Sequence, residues 1–356
     1  MKILIINPTQ FGYSTGYFYY CKYLADLGHE IDYFCLNYKL PRIKITNVRV
    51  KYLNISNSCF NWRIPFFKSI SKTQFNDYDI IFLNHQKFAF LYRLFGVPAR
   101  TIIDIRTGDL SLNKLTRYLW NRSLKFDTLF FRHITILSES LLNLLKLNPN
   151  KCTILPIGAD IIADSPKKYY PPHFLYIGTF TKRNIVHTIE GLILFSDKYP
   201  EVPIKYDIIG FGSESEELQV KKSIEKSTLN GKITFHGRKN YAEVKPFFKA
   251  ANIGFSYVPM KSFFDCQPPT KTFEYILSGI ICIATRTSEN KKLISPVNGI
   301  LCDDNPQSLC SAIEEYYINR DSFNCTKVKK SLQNHQWKII VNTELNPLLT
   351  SIANKK

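Results

Sequence analysis

The sequence predicts an α/β protein built from two successive parallel sheets. Short, continuously apolar runs alternate with longer segments at helical spacing along nearly the whole chain. Such runs are typical of strands that helices bury on both faces. The chain has 356 residues, which exceeds the usual size of a single core and fits two domains of ordinary size.

The first half of the chain opens on a βαβ unit: a strand over residues 3–6, a helix over residues 17–27 and a strand over residues 31–36. The turn between the first strand and the helix contains Gly12, Ser14, Thr15 and Gly16. Further strands are predicted over residues 79–83, 101–105, 134–137 and 152–155. Helices are predicted between them over residues 87–95, 112–126 and 139–147.

The second half repeats this alternation after a break. Residues 160–173 hold three prolines and no clean periodicity, which indicates an interdomain linker. Strands are then predicted over residues 174–177, 205–209, 233–235, 253–257 and 280–284. Helices are predicted over residues 184–199, 214–226, 241–251, 270–278 and 307–318. We therefore expect domains at 1–160 and 174–330, a linker at 161–173, and C-terminal helices over 331–356.

Net charge limits the classes of partner. There are 47 Lys and Arg against 29 Asp and Glu, a net charge of +18, which favours nucleic acid, acidic lipid headgroups or phosphorylated metabolites. No nucleic-acid-binding module is recognisable, so we rank that class last and expect no nucleic acid partner. The nine cysteines have neither metal-ligand spacing nor an even count, which favours free core thiols and no metal.

The strongest candidate site lies where a predicted helix begins after Pro268 and Pro269. Thr270, Lys271 and Glu274 occupy its first turn. Helix amides and Lys271 suit a phosphate, while the Glu274 carboxylate suits a vicinal diol such as a ribose. Taken alone, the same residues also fit ordinary charge placement at a helix start.

Three other turns of the second half have the same form, with a strand running into glycine and then polar or cationic residues. Small residues let a ligand approach the backbone, and cations neutralise a diphosphate. A lone G-x-G more often marks a structural turn, yet the repetition within one domain favours a nucleotide site. The residues are Gly178, Thr179, Lys182 and Arg183; Gly210 and Gly212; and Gly237 and Arg238.

Together these segments resemble a known family. The chain is similar to retaining GT-B glycosyltransferases of the family-4 type, the glycosyl transferases group 1. The resemblance is carried by Gly12 to Gly16, residues 27–30, 138–140, 155–160, 177–179, 210–212, 236–238 and 269–275, and Trp337.

The resemblance implies two Rossmann-like domains facing a central cleft, with a C-terminal helix crossing back to the N-terminal domain. It places a nucleotide-diphosphate sugar in the C-terminal domain. Of the family's two donor glutamates, the second matches Glu274, whereas the first falls on Cys266, so Asp265 becomes its candidate substitute.

The family's glycine-rich turn is replaced here by Pro268 and Pro269, which supply no N–H to a phosphate, and Lys271 is the candidate that compensates with a direct charge. Of the family's basic pair, the first residue falls near Thr179, which leaves Lys182 or Arg183 for the second role at the diphosphate.

On the acceptor side, the resemblance implies Arg106 near the transferred sugar, where the family commonly has a histidine. Gly12, Thr15, Gly16 and Asp109 are further acceptor-side candidates. His85 ends another strand, and a hydrogen-bonded structural role fits it as well as a position at the cleft.

The function that follows is transfer of a sugar, with retention and without metal or cofactor, to a hydroxyl of a glycan or lipid-linked acceptor in surface polysaccharide biosynthesis. A non-catalytic GT-B subunit that binds a glycan or a partner enzyme is the alternative, and a sugar epimerase fits less well. We expect a cytoplasmic protein at the inner face of the cell membrane. Aromatic and basic residues interleaved over 59–72 suggest an anionic membrane contact there, and a loop and helix with an aromatic core face is the other interpretation.

Overall fold

The computed structural model describes residues 1–54 and 62–354. The chain divides into two units: Met1–Gly158 with Trp337–Lys356, and Ala159–Gln336. Each unit has its own sheet, and every strand pair within the two sheets is parallel. The predicted α/β class with two Rossmann-like domains is therefore confirmed.

The first unit contains a seven-stranded sheet in the order β3-β2-β1-β4-β5-β6-β7. The strands are β1 (Lys2–Ile6), β2 (Glu30–Leu36), β3 (Val48–Leu53), β4 (Ile80–Asn84), β5 (Ile102–Ile105), β6 (His133–Ile136) and β7 (Cys152–Ile154). The helices are α1 (Thr15–Asp26), α2 (Arg63–Ile70), α3 (Phe90–Leu94), α4 (Lys114–Thr128) and α5 (Glu139–Leu145).

The second unit contains a six-stranded sheet in the order β10-β9-β8-β11-β12-β13. The strands are β8 (His173–Thr179), β9 (Lys205–Phe211), β10 (Ile233–Phe235), β11 (Ile253–Ser256), β12 (Ile281–Thr285) and β13 (Gly299–Cys302). The helices are α6 (Val186–Lys198), α7 (Glu214–Glu225), α8 (Tyr241–Ala250), α9 (Ser262–Asp265), α10 (Thr270–Leu277), α11 (Asn290–Leu293), α12 (Pro306–Asn319) and α13 (Cys325–Ser331).

In both sheets the order reverses beside the first strand of the unit. β1 lies between β2 and β4, and β8 lies between β9 and β11. In open parallel sheets, ligands bind beyond the carboxyl ends of the strands at this switch point. We therefore expect ligands at the loops after β1 and β4 in the first unit, and at the loops after β8 and β11 in the second.

The end of the chain completes the core of the first unit. It forms α14 (Trp337–Ile340), a π-helical turn at Val341–Leu345, and α15 (Asn346–Ala353). Trp337 is 1% exposed, and its ring centroid lies 5.6 Å from that of Tyr20 and 5.8 Å from that of Tyr19. Residues 331–336, which we grouped with these helices, instead belong to the second unit.

The predicted linker over 161–173 is also part of the second unit. Tyr169 donates a hydrogen bond from its hydroxyl to the Gly279 carbonyl oxygen at 3.0 Å. The Asn252 side-chain amide donates to the carbonyl oxygens of Lys168 and Pro171, each at 2.8 Å. These bonds fasten the proline-rich segment to the domain that follows it.

Two strands of the structure, β3 and β13, are not predicted from the sequence. β3 lies at an edge of its sheet, and its exposed Arg49 and Lys51 alternate with less exposed apolar residues. The pattern therefore lacks the continuous apolar run that marks the central strands. β13, the edge strand of the other sheet, begins at a glycine and has only four residues.

The aromatic stretch over 59–72 is mostly a core element where the structure describes it; residues 59–61 lie outside the described residues. Phe66 and Phe67 are 0% and 4% exposed, and their rings contact those of Phe34 and Tyr92. The prediction that these aromatics contact a membrane is wrong, because they form the buried face of α2. Among the described residues, no helix is both long and apolar enough to cross a bilayer.

Candidate functional site

The carboxyl end of β8 meets the first turn of α10. The backbone N–H of Ile177 donates to the Tyr275 hydroxyl oxygen at 3.0 Å, which fixes the helix on the strand. Lys271 Nζ lies 3.8 Å from the centroid of the Tyr176 ring. A Cβ at Gly178 would lie 3.4 Å from this nitrogen. Nζ is buried and has no hydrogen-bond partner within the described part of the chain.

Burial shifts the pKa values of two groups of opposite charge on α10, Lys271 and Glu274. Burial, and then the neighbouring Arg183, lower the pKa of Lys271 well below its usual value. Burial raises the pKa of Glu274 to about 7, while Lys271 opposes this rise. An anionic ligand beside Lys271 would favour its ammonium form, and the Glu274 carboxylate one turn away offers an acceptor for hydroxyl groups.

Arg183 is the cation of the β8–α6 loop that lies close to Lys271. Its guanidinium carbon lies 4.1 Å from the centroid of the Phe264 ring, and burial lowers its pKa. Lys182 is exposed and has a positive φ of 60°, and its backbone N–H donates to Glu216 Oε1 at 3.3 Å. Of the two cations that sequence analysis left open, Arg183 therefore fits a role beside Lys271 better.

Packing favours glycine at two positions near the end of β9, for a different reason at each. A Cβ at Gly210 would lie 2.0 Å from the Gly178 carbonyl oxygen, so only glycine fits where the two strands approach. A Cβ at Gly212 would lie 2.8 Å from Glu216 Oε2, within the hydrogen-bonded cap of α7. Packing is therefore sufficient to explain Gly210 and Gly212.

The remaining predicted donor residues surround these turns. Thr179 is exposed at the end of β8. The Gly237 carbonyl oxygen accepts a hydrogen bond from the Gly210 backbone N–H at 3.0 Å. The Arg238 guanidinium carbon lies 4.5 Å from the centroid of the Phe211 ring. Thr270 is the first residue of α10 and is half-buried.

Asp265, the candidate substitute for the first donor glutamate, is already hydrogen-bonded within the second unit. Its two oxygens accept hydrogen bonds from Ser288, one from the backbone N–H at 2.7 Å and one from the hydroxyl at 2.6 Å. Cys266, onto which the resemblance places the family's first glutamate, is 4% exposed. Asp265 thus holds the loop after β12, and Cys266 packs inside.

In the first unit, Arg106 belongs to a buried polar cluster after β5. Its Nε donates to Asp104 Oδ2 at 2.8 Å and its Nη1 to the Leu155 carbonyl oxygen at 2.9 Å. Asp104 also accepts hydrogen bonds from Tyr17 and Thr135, each at 2.7 Å. Burial lowers the pKa of Arg106 to about 10, which leaves it protonated at neutral pH. Its Nη2 has no hydrogen-bond partner among residues 1–54 and 62–354.

The other acceptor-side candidates have internal partners. His85 Nε2 lies 2.9 Å from the carboxylate of the buried Asp127, which matches the structural interpretation of this histidine. Asp109 accepts a hydrogen bond from the backbone N–H of Ser111 at 2.9 Å and lies 3.9 Å from Lys87 Nζ.

The turn after β1 is shaped by packing. A Cβ at Gly12, whose φ is +90°, would lie 2.4 Å from Ile43 Cδ1, and one at Gly16 would lie 3.4 Å from the Trp337 ring. Thr15 begins α1 and is exposed.

Two aromatic rings support the cations and are not predicted from the sequence: Tyr176 beside Lys271 and Phe264 beside Arg183. A usable signal exists for Tyr176: it lies two residues before Gly178 on β8, so the two residues share one face of the strand and the Tyr176 ring is expected beside the glycine. No comparable signal exists for Phe264, because only the tertiary structure brings α9 to the β8–α6 loop.

Within residues 1–54 and 62–354, no three His, Cys, Asp or Glu side chains are grouped so as to hold a metal ion. The cysteines that the structure describes form no disulfides, and most are buried, as the sequence predicted.

Comparison with protein families gives a match within the second unit. Residues 171–319 match the model of the glycosyl transferases group 1, and this segment contains β8 to α12 with Lys271 and Glu274. The predicted resemblance to that family is confirmed. A comparison with curated proteins finds no match.

Solved structures extend the comparison to the whole chain. A sucrose-phosphate synthase from Thermosynechococcus elongatus matches 100% of this chain and 100% of its own, at 14% identity and a TM-score of 0.77. The Anabaena protein HepE in complex with UDP-glucose matches 99% of this chain and 100% of its own, at 14% identity and a TM-score of 0.73. The lipopolysaccharide outer core galactosyltransferase WaaB matches 99% and 100%, at 14% identity and a TM-score of 0.68. The predicted GT-B fold is therefore confirmed.

Proposed function

We propose that this protein is a retaining glycosyltransferase. It moves a sugar from a nucleotide-diphosphate sugar to a hydroxyl group of a glycan or lipid-linked acceptor. The observation that carries the proposal is Lys271 Nζ, buried without a hydrogen-bond partner among the described residues, beside Gly178 and one turn from Glu274. The family match of this segment supports it, as does the similar fold of HepE, which was solved with UDP-glucose.

In the proposed reaction the bond between the sugar's anomeric carbon and the diphosphate oxygen breaks, and a bond to the acceptor oxygen forms on the same face. The acceptor proton passes to the leaving diphosphate. Lys271, Arg183 and the N-terminal amides of α10 stabilise the charge that develops on the diphosphate. Glu274 accepts hydrogen bonds from the ribose hydroxyls. Arg106 helps to place the sugar or the acceptor through its Nη2, which has no hydrogen-bond partner in the described part of the chain.

The setting follows from the same proposal. With a lipid-linked acceptor, the reaction would take place at the inner face of the cell membrane, because nucleotide sugars are made on the cytoplasmic side. The product would belong to surface polysaccharide biosynthesis. We propose no metal and no cofactor, because cations and helix amides supply the positive charge at the leaving group.

The first test is a thermal-shift panel of nucleoside diphosphates and their sugars. A ligand at 100 times its dissociation constant adds about 2.7 kcal/mol of stability. The nucleotide that gives the largest shift is then used to measure turnover as release of nucleoside diphosphate.

Variants of the site complete this test. Lys271→Ala and Arg183→Ala should each reduce turnover by about 10²-fold or more, and Glu274→Ala should weaken donor binding by about 2–4 kcal/mol. Lys222→Ala, an exposed change on α7, serves as the matched control. Full donor affinity in folded Lys271→Ala and Glu274→Ala proteins would refute the site.

A second candidate function is a non-catalytic GT-B subunit that binds a glycan or a partner enzyme. The burial of Cys266 and the two bonds from Ser288 to Asp265 favour it, because they leave the first donor carboxylate of the family without a free equivalent. Measurable transfer or hydrolysis of any nucleotide sugar would exclude this alternative. If Asp265→Ala retains full activity, the role of that first carboxylate is absent here.

A further inference from the structure

The outer face of α4 has an unusual composition for a helix at a protein surface. Its apolar members are 49–66% exposed: Leu115, Tyr118, Leu119 and Phe126, with Leu129 directly after the helix at 63%. Surface helices normally present polar side chains outward. We call the exposed set Lys114, Leu115, Tyr118, Leu119, Arg122, Lys125, Phe126 and Leu129 the α4 face.

The apolar surface continues on both sides of the α4 face. The Phe90 ring centroid lies 5.6 Å from those of Phe126 and Phe130, so α3 joins the surface. Leu94, one turn after Phe90, is 68% exposed. On the other side, a groove between α4 and α5 is lined by residues that include Leu144 and Lys146.

The charges around these apolar side chains have one sign. Residues 110–132 contain five cations, at Lys114, Arg117, Arg122, Lys125 and Arg132, and one acidic residue, Asp127. The Asp127 side chain is 1% exposed and pairs with His85. No carboxylate of this stretch therefore reaches the surface, and the surface is complementary to a negatively charged partner.

We propose that the α4 face, together with the ends of α3 and α5, docks on an anionic lipid bilayer. Exposed leucines and phenylalanines that alternate with lysine and arginine match the boundary between acyl chains and acidic headgroups. Nucleic acid offers phosphates but no apolar phase for Leu115, Leu119 and Leu129. This inference rests on the proposed setting at the cell membrane and names the surface that would bind there, in place of the buried aromatics of α2. Flotation measures it without sugar transfer, so its failure is distinguishable from failure of the proposed activity.

The test is flotation of the 356-residue protein with phosphatidylcholine vesicles that contain either no acidic lipid or roughly 30% phosphatidylglycerol, which imitates the anionic lipid of a cytoplasmic leaflet. The wild type should float with the anionic vesicles at low salt and not with the neutral ones. Leu115→Gln/Leu119→Gln, which keeps every charge, and Arg122→Gln/Lys125→Gln should each reduce the bound fraction at least fivefold. Circular dichroism confirms that the variants are folded, as their exposed positions lead us to expect.

The matched controls change exposed residues of the second unit. Leu218→Gln/Ile318→Gln replaces side chains that are 50% and 67% exposed, and Lys222→Gln/Lys226→Gln removes two exposed cations. Both should float like the wild type. The proposal fails if the wild type does not bind anionic vesicles, or if the controls lose binding equally, which would mean attraction by the overall charge. It also fails if Leu115→Gln/Leu119→Gln leaves flotation unchanged. A wild type that is a dimer without vesicle binding, and that this double variant converts into a monomer, would instead make the α4 face a contact between two copies of the chain.

Discussion

Lys271 and Glu274 lie three residues apart on α10, and burial opposes the charged form of each. The pKa of Lys271 is lowered and that of Glu274 is raised to about 7. A group whose charge is disfavoured in the folded state reduces stability at a pH where the unfolded chain would ionise it. Such groups often mark sites that a ligand completes.

Glu274→Gln should therefore stabilise the protein in a pH-dependent way. Because the folded pKa of about 7 exceeds the ordinary value of 4.5, wild-type stability falls as pH rises through this window. We expect Gln to raise the free energy of unfolding by about 1 kcal/mol at pH 8 and to change it little at pH 4.5. Denaturant unfolding at the two pH values measures this, with the exposed Glu225→Gln as control. An equal gain at both pH values would mean that the carboxylate charge is not the cause.

Tyr176 supports Lys271 through its ring, which makes it a positioning residue. Tyr176→Phe keeps the ring and should leave the affinity for nucleoside diphosphate nearly unchanged. Tyr176→Leu removes the cation–π contact and should weaken affinity by about 1–2 kcal/mol. Titration calorimetry measures both. The Phe variant also loses the hydrogen bond from the Tyr176 hydroxyl to the Thr179 carbonyl oxygen, so it separates ring from hydroxyl. Equal affinities in the two variants would contradict the positioning role.

At the scale of elements, Asp207 on β9 joins three parts of the second sheet. Its carboxylate accepts hydrogen bonds from His173 on β8 at 2.6 Å and from His236 after β10 at 2.7 Å. Although burial raises its pKa, the hydrogen bonds from the two histidines lower it below the usual value. The sheet thus depends on an ionised carboxylate that sequence analysis did not single out.

Asp207→Asn should destabilise the protein by about 2–3 kcal/mol at pH 7, because one side-chain amide oxygen replaces two charge-assisted acceptors. A carboxylate with a lowered pKa contributes stability above its unfolded pKa of about 3.9 and loses that contribution as pH falls below it. The difference between wild type and variant should therefore shrink between pH 5 and pH 3 in urea titrations. A difference that stays constant over this range would show that packing, and not ionisation, is responsible.

At the scale of the whole molecule, the chain returns to its first unit after completing the second. The backbone N–H of Ala159 donates to the His335 carbonyl oxygen at 3.0 Å, so the two ends of the second unit lie side by side. Trp337 then enters the core formed by α1 and β1. The first unit is therefore incomplete until the last residues of the chain have packed.

Trp337→Ala should affect the two units differently. Removing a fully buried indole costs about 3–5 kcal/mol, and the loss falls on the first unit. Hydrogen exchange followed by mass spectrometry should show reduced protection in β1, β2 and α1, while β8 and β9 remain protected. Reduced protection of both units to the same extent would mean that they unfold together.

The sequence by itself determined most strands of both sheets and the start of α10, because central parallel strands are continuously apolar and a helix start carries local signals. It also predicted Lys271, Glu274 and Arg183 as members of one candidate site, since positions after strand ends converge in this fold. The edge strands β3 and β13 lacked that apolar pattern, and the bonds of Tyr169 and Asn252 that attach the proline-rich segment join residues far apart in sequence.

Only the tertiary structure decided which predicted side chains are free to act. It buried Phe66 and Phe67 of the aromatic stretch, engaged Asp265 with Ser288, and paired His85 with Asp127. It left Leu115, Tyr118, Leu119 and Phe126 of α4 exposed, although their spacing resembles that of a core helix. The physical reason is that accessibility and hydrogen-bond partnership depend on neighbours from distant parts of the chain, whereas local sequence specifies only the element that carries a residue.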